Sequence, residues 1–142
     1  MSWWTIFWIR AENDPEFGGF FLDGQVIAID DYLEIRPEKR AQVEKCIREG
    51  KIQTGPWYIL QDEFLTSGEA CVRNLQVGMQ EAEQYGAVGN VGYFPDAFGN
   101  AGQMPQVLKQ AGMEQLSSGG VSNRSDRTTK LPADSMSLHI LR

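Results

Sequence analysis

Residues 88–108 read VGNVGYFPDAFGNAGQMPQVL, and this stretch decides the fold class. An apolar run ends at Pro95-Asp96, two glycines follow, and Met104 opens an amphipathic run, a pattern that predicts strand, loop and helix. In α/β folds, residues at the carboxyl ends of strands line the functional site. Asp96 lies at such an end, with no Lys or Arg between residues 88 and 108 to pair with it. Asp96 is therefore a candidate functional carboxylate, although aspartate is also common in helix caps and turns.

The same alternation of strand and helix runs through the preceding sequence. Strands are predicted at 20–22, 52–60 and 88–94, and helices at 27–35, 37–50, 66–86 and 104–111. The pattern Thr66/Glu69 predicts a capping box, and Gly86 a helix end. Repeated strand–helix alternation favours βαβ units and a parallel sheet. Beyond residue 114 the sequence is polar and aperiodic, which predicts one domain over 1–114 and a divergent loop or disordered tail over 115–142.

Charge and composition exclude several classes of partner. The formal net charge of -6 gives no attraction to phosphate backbones, so we expect no nucleic-acid or membrane partner. The apolar opening, MSWWTIFWIR, is too short to span a bilayer. Its aromatic residues, at helical spacing, are expected to cover part of an apolar face. The two cysteines are not in a CxxC pair, which predicts a reducing, cytoplasmic compartment.

Several acidic residues fall where a predicted strand gives way to a loop: Asp23, Asp62, Glu63 and Asp96. Carboxylates from separate strands can converge at one end of a sheet, where they suit glycosidic bond cleavage or a hard metal ion. Trp57 and Tyr58 precede two of these acids closely, and aromatic faces are a common platform for sugar rings. Other interpretations stay open: a simple turn at Asp23, solvated loop charge at Asp62-Glu63, and core packing at Trp57.

Five blocks of sequence, in consistent order between residues 12 and 113, resemble the amino-terminal catalytic region of glycoside hydrolase family 38, the zinc-dependent α-mannosidases, in particular the bacterial type. They are ENDPEF, FFLDGQ, DDYLEIRPEKR, GPWYILQDEFLTSGEACVRNL and GYFPDAFGNAGQMPQVLKQAG. The resemblance implies a partial seven-stranded parallel β/α barrel-like domain and retaining hydrolysis of α-linked mannose in oligosaccharides. It also implies that Asp96 is both the nucleophile and a zinc ligand. Asp23, Trp57, Tyr58, Asp62 and Glu63 are the predicted substrate-binding residues.

The sequence also departs from the pattern of the family it resembles. No counterpart of the family's HTHWDREW-like zinc-binding block is present, Asn100 stands where a histidine is common, and Gly119-Gly120 stands where an arginine is expected. The family's general acid/base and last zinc histidine would follow the end of this sequence. Because one carboxylate does not hold zinc tightly, the chain alone is expected to be inactive.

Two further outcomes are open at the level of sequence. A non-catalytic carbohydrate-binding or interaction remnant is the alternative function. The half barrel that the resemblance implies would leave strand edges unpaired, which predicts self-association.

Overall fold

The structure is a computed structural model that describes residues 3–95, 97–118 and 127–130, with backbone only for residue 118 and residues 127–130. The α-helices are α1 (Trp3–Asn13), α2 (Ile27–Ile35), α3 (Arg40–Arg48), α4 (Gly68–Tyr85) and α5 (Met104–Gln110). The strands are β1 (Phe20–Phe21), β2 (Ile52–Gln53), β3 (Val91–Phe94), β4 (Gln115–Ser118) and β5 (Arg127–Lys130). A short 3₁₀ helix, Pro37–Lys39, precedes α3.

The described strands form two small sheets. Strands β1 and β2 pair in parallel with Phe20 opposite Ile52, and β3 pairs in parallel with β4. Helices lie between the strands of each parallel pair, so the predicted βαβ organisation and α/β class are confirmed. Strand β5 pairs antiparallel with β4, which gives the order β3-β4-β5. The five described strands form one two-stranded and one three-stranded sheet rather than a closed seven-stranded barrel.

The predicted strand over 52–60 is much shorter in the structure. Strand β2 ends at Gln53, and the chain turns through a cis Gly55-Pro56 bond before an isolated bridge joins Trp57 to Gln25. The short length is understandable because Pro56 cannot donate a backbone hydrogen bond to a neighbouring strand.

The start of helix α4 also differs from the expectation. Ser67, not Thr66, is the N-cap residue, and its hydroxyl accepts the backbone N–H of Ala70. Thr66 instead donates its hydroxyl to the carbonyl of Asp62 at 3.3 Å. The predicted end is confirmed, because Gly86 caps the helix with a positive φ of 133°. Strands β4 and β5 lie in the segment 115–142, where the sequence predicted mostly loop.

The buried apolar residues form two clusters. The first joins α1, α2, α3 and the β1–β2 pair, and includes Trp8, Val26, Ile29, Val43, Ile47 and Ile52. The second lies under β3, between α4 and α5, and includes Trp57, Cys71, Leu75, Phe94, Met104 and Leu108. In α1 the aromatic residues divide as amphipathic spacing predicts, with Trp8 fully buried and Trp3 exposed. Neither cysteine forms a disulfide, and both are buried.

In the described part of the chain, no helix combines the length and the apolar character that crossing a membrane requires.

Candidate active site after strand β3

Strand β3, which leads into the candidate site, is closely packed. Gly92 of β3 lies directly against the side chain of Leu108 in α5, so that a Cβ at this position would overlap it. Phe94, at the end of the strand, is 2% exposed and packs in the second cluster. Pro95 then leaves the sheet, and Asp96 itself lies outside the described residues. The residues on either side of Asp96 are therefore what defines this site in the structure.

The turn that carries Asp23 lies beside β3. Asp23 is exposed and adopts a left-handed φ of 47°, and Gly24 follows with φ of 68°. A Cβ on Gly24 would lie 3.0 Å from Cβ of Tyr93, so the turn backbone approaches β3 as only glycine permits. The rings of Phe21 and Tyr93 meet edge to face at 5.0 Å. The carboxyl ends of β1 and β3 thus come together, although the two strands lie in different sheets.

Gln25 links the Asp23 turn to the chain before Asp62. Its Nε2 donates to the Asp23 carboxylate at 3.2 Å, and its Oε1 accepts the backbone N–H of Leu60 at 3.1 Å. Asn74 of α4 holds the neighbouring segment, since it accepts the N–H of Ile59 at 3.0 Å and donates to the Ile59 carbonyl at 2.7 Å. Sequence reasoning did not select these two amides, because only tertiary structure shows which backbone groups they reach.

Asp62 and Glu63 contact the segment that follows Asp96. The Asp62 Oδ1 accepts the backbone N–H of Phe98 at 2.9 Å, and the Glu63 Oε2 accepts the backbone N–H of Ala101. The two carboxylates thus both contact the segment that follows Asp96, while their convergence with Asp96 itself stays a prediction. Their observed partners are backbone amides.

The surroundings of Glu63 disfavour the ionised form of its carboxyl group. Its side chain is 8% exposed, and burial raises the pKa of this carboxyl, an effect that the Ala101 N–H partly offsets. The Glu63 Oε1 is buried and has no hydrogen-bond partner within the described ranges. The pKa of the Cys71 thiol is raised too, first by burial and then by the nearby Glu63 charge.

The two predicted aromatic residues lie in different environments. Trp57 is 1% exposed and packs against Phe94 with ring centroids 4.9 Å apart. Tyr58 is half-buried, and its pKa is raised by burial and by the nearby Asp30 carboxylate. The Trp57 ring is therefore part of the core beneath β3 rather than an exposed platform. The substrate-binding roles of both residues stay predictions.

The site is acidic. Within residues 3–95 and 97–117, no Lys, Arg or His side chain forms a salt bridge with Asp23, Asp62 or Glu63. In the same ranges, no group of three His, Cys, Asp or Glu side chains is arranged to hold a metal ion. The described site therefore supplies carboxylate oxygens, but no complete metal centre.

Comparison with known proteins shows the family to which this chain belongs. Residues 8–130 match the family model of the glycosyl hydrolases family 38 N-terminal domain. The chain is 56% identical over 102 residues to the "Putative mannosylglycerate hydrolase" of Halalkalibacterium halodurans. This match covers 71% of the chain and 11% of that protein. The chain is also 30% identical over 104 residues to α-mannosidase G of Dictyostelium discoideum. That match covers 72% of the chain and 9% of the relative.

Solved structures give the same family. An α-mannosidase from Enterococcus faecalis superposes with a TM-score of 0.74 at 50% identity, over 77% of this chain and 12% of the other. A family 38 glycosyl hydrolase from the same species superposes with a TM-score of 0.73 at 40% identity, over 92% of this chain and 16% of the other. The chain spans about a tenth of the length of the curated relatives it matches. It belongs to glycosyl hydrolase family 38, as a part of the mannosidase-type N-terminal domain.

Proposed function

We propose that this chain is a part of a retaining, zinc-dependent α-mannosidase that hydrolyses α-linked mannose in oligosaccharides. The observation that carries the proposal is family membership, together with the sequence PDAFG directly after β3. We also propose that the short parallel pairs of the described residues belong to a seven-stranded parallel β/α barrel-like domain.

Asp96 is the proposed nucleophile. In a retaining reaction its carboxylate attacks the anomeric carbon and forms a glycosyl-enzyme, while an acid protonates the departing oxygen. Water then attacks the same carbon and releases mannose with its original anomeric configuration. Asp96 suits this role because no Lys or Arg in residues 88–108 pairs with it locally. Asp23 and Asp62, which are at least partly exposed, are proposed to accept hydrogen bonds from sugar hydroxyls.

Zinc is proposed as the metal of the complete site, with Asp96 as one ligand. Zinc sites in proteins need three or four protein ligands, and this sequence holds no counterpart of the HTHWDREW-like block that supplies two of them in the family. We therefore expect the chain alone to bind zinc weakly and to show no turnover of an aryl α-mannoside with added zinc. Turnover by the purified chain that Asp96→Asn abolishes would contradict the expected inactivity.

A chimera tests the catalytic role itself. The matching segment of the Enterococcus faecalis α-mannosidase, 50% identical, is replaced by the corresponding residues of this chain. We expect the chimera to hydrolyse aryl α-mannoside with retention, and Asp96→Asn to lower kcat on the order of 10⁴-fold, the scale seen when a catalytic group is removed. Asp31→Asn, at an exposed position in α2, is the matched control. Full turnover by the Asp96→Asn chimera would refute the proposed nucleophile.

The substrate has a second candidate. The 56% identical relative bears a name that refers to mannosylglycerate, so the same chimera is assayed with mannosylglycerate beside an α-mannosyl oligosaccharide. A larger kcat/KM for the oligosaccharide supports the substrate proposed here, and the reverse result assigns the small mannoside. Binding of mannose by the purified chain in the absence of zinc would favour the non-catalytic carbohydrate-binding remnant instead.

A further inference from the structure

We infer that Asp62 and Glu63 are positioning residues: their carboxylates hold the segment 97–101 against the turn that precedes helix α4 by accepting two of the segment's backbone N–H groups. The importance of this segment rests on the proposed function, because the segment begins directly after Asp96. The inference assigns these acids a task in addition to the sugar contact proposed for Asp62, whose Oδ1 alone accepts the Phe98 N–H.

The hydrogen bonds to Asp62 and Glu63 lie near the two ends of the segment 97–101. Asp62 accepts the N–H of Phe98 at 2.9 Å, and Glu63 accepts the N–H of Ala101, three residues further on. Between them, Gly99 lies so close to the ring of Phe64 that a Cβ on the glycine would overlap the ring. Three consecutive residues, 62–64, therefore contact three positions of a segment that begins at the residue after the proposed nucleophile.

Asp62 is itself hydrogen bonded to the turn that leads into α4. The carbonyl of Asp62 accepts the N–H of Leu65 at 3.1 Å and the hydroxyl of Thr66 at 3.3 Å. Ser67 then caps the first turn of the helix. The two carboxylates therefore lie in a hydrogen-bonded turn that continues directly into the capped helix. The segment 97–101 contains one glycine and has no regular secondary structure. Its last residue is also tied to α5, because the carbonyl of Ala101 accepts the N–H of Met104 at 2.9 Å.

The burial of Glu63 favours a positioning role over a role in sugar binding. Its side chain is 8% exposed, and the oxygen that accepts the Ala101 N–H is directed at the loop backbone. A buried carboxylate is costly unless it is hydrogen bonded, and a charged acceptor makes a stronger bond to a backbone N–H than a neutral one. The burial that raises the pKa of Glu63 is consistent with this cost.

Amide hydrogen exchange on the purified chain, resolved by NMR, tests the inference. We expect Glu63→Ala to accelerate exchange of the Ala101 N–H about tenfold or more, the scale of a hydrogen bond to a charged group. Glu63→Gln keeps an acceptor oxygen and should restore most of the protection. Asp62→Ala and Asp62→Asn form the corresponding pair for the Phe98 N–H. Glu69→Ala removes an exposed acid paired with Arg73 in α4 and should change neither amide.

The amides of β3 and β4 report whether each variant is folded. Unchanged exchange of Ala101 in a folded Glu63→Ala variant overturns the inference for Glu63. Equal acceleration of Ala101 exchange in folded Glu63→Gln and Glu63→Ala also overturns the inference for Glu63. In that case the side-chain oxygen that glutamine keeps would not protect the Ala101 N–H. If Glu63→Ala unfolds the chain, the Asp62 pair still decides, and unchanged Phe98 exchange in Asp62→Ala overturns the inference. The measurement needs no turnover, so its failure is distinct from failure of the mannosidase proposal.

Discussion

At the scale of single residues, Glu63 combines burial with charge. Its folded-state pKa is raised, so the folded chain holds a proton at this position to higher pH than the unfolded chain. The corresponding stability is fully present below the ordinary glutamate pKa and is lost as pH rises through the raised folded value. Burial thus makes the ionised Glu63 a cost that its hydrogen bond to Ala101 only partly offsets.

Glu63→Gln should remove the pH dependence of stability that Glu63 contributes. Relative to wild type, the variant should gain free energy of unfolding as pH rises from about 4 to about 8, because glutamine is neutral throughout that range. Urea unfolding of both proteins at several pH values measures the difference. Glu69→Gln makes the same change at an exposed position in α4 and is the control for the substitution. A constant difference between Glu63→Gln and wild type across the range would show that Glu63 does not titrate with a raised pKa.

At the scale of elements, Gly78 allows α4 to pack against the chain after β2. A Cβ on Gly78 would overlap backbone atoms of Pro56, Trp57 and Tyr58. Gly78→Ala should therefore lower the free energy of unfolding by about 1–3 kcal/mol, the range for overpacking, although alanine favours a helix by roughly 1 kcal/mol. Chemical denaturation measures the change.

Gly68 provides the control for Gly78 in the same helix. Nothing lies within 4 Å of a Cβ built there. Gly68→Ala should be neutral or stabilising by up to about 1 kcal/mol, since only the helix preference remains. Equal effects of the two substitutions would contradict the close approach of α4 to residues 56–58.

The N-cap of α4 allows a second prediction for this helix. Ser67→Ala removes the acceptor for the Ala70 N–H and should cost about 1 kcal/mol of unfolding free energy. Ser67→Asp keeps an acceptor and adds a favourable charge at the helix N-terminus, so it should preserve stability. Thermal unfolding of the three proteins compares them, and equal destabilisation by alanine and aspartate would argue against the cap.

The helices and strands of this fold differ in how well the sequence predicts them. Helices α2 and α4 follow from apolar periodicity, and Gly86 marks the end of α4, because these signals are local. Strand β2 is shorter than predicted and the α4 cap is displaced by one residue, since neighbouring chain segments decide both. Asp62 and Glu63 contact the segment after Asp96 although the strand predicted to carry them ends at Gln53, so strand-end reasoning does not account for their placement. Their backbone partners are not predictable from the sequence either, because hydrogen bonds across 36 and 38 residues leave no local pattern.

At the scale of the whole molecule, strand β1 has one partner, β2, among the described strands. Phe20 of β1 is 47% exposed although it packs against Phe7 with centroids 5.1 Å apart. An unpaired strand edge beside exposed aromatic surface promotes pairing between chains. We therefore expect the isolated chain to self-associate as its concentration rises, through the edge of β1.

Sedimentation velocity across a concentration series measures this association. Phe20→Lys places a charge at the β1 edge and should shift the chain toward monomer, because a lysine on an edge strand opposes pairing. Ile35→Lys makes a comparable change at the end of α2, where the isoleucine is 77% exposed and distant from the strand in sequence. That control should leave association unchanged if the edge, rather than apolar surface in general, is responsible. Equal effects of the two lysines would assign the association to exposed apolar area, and a monomeric wild type would refute the prediction.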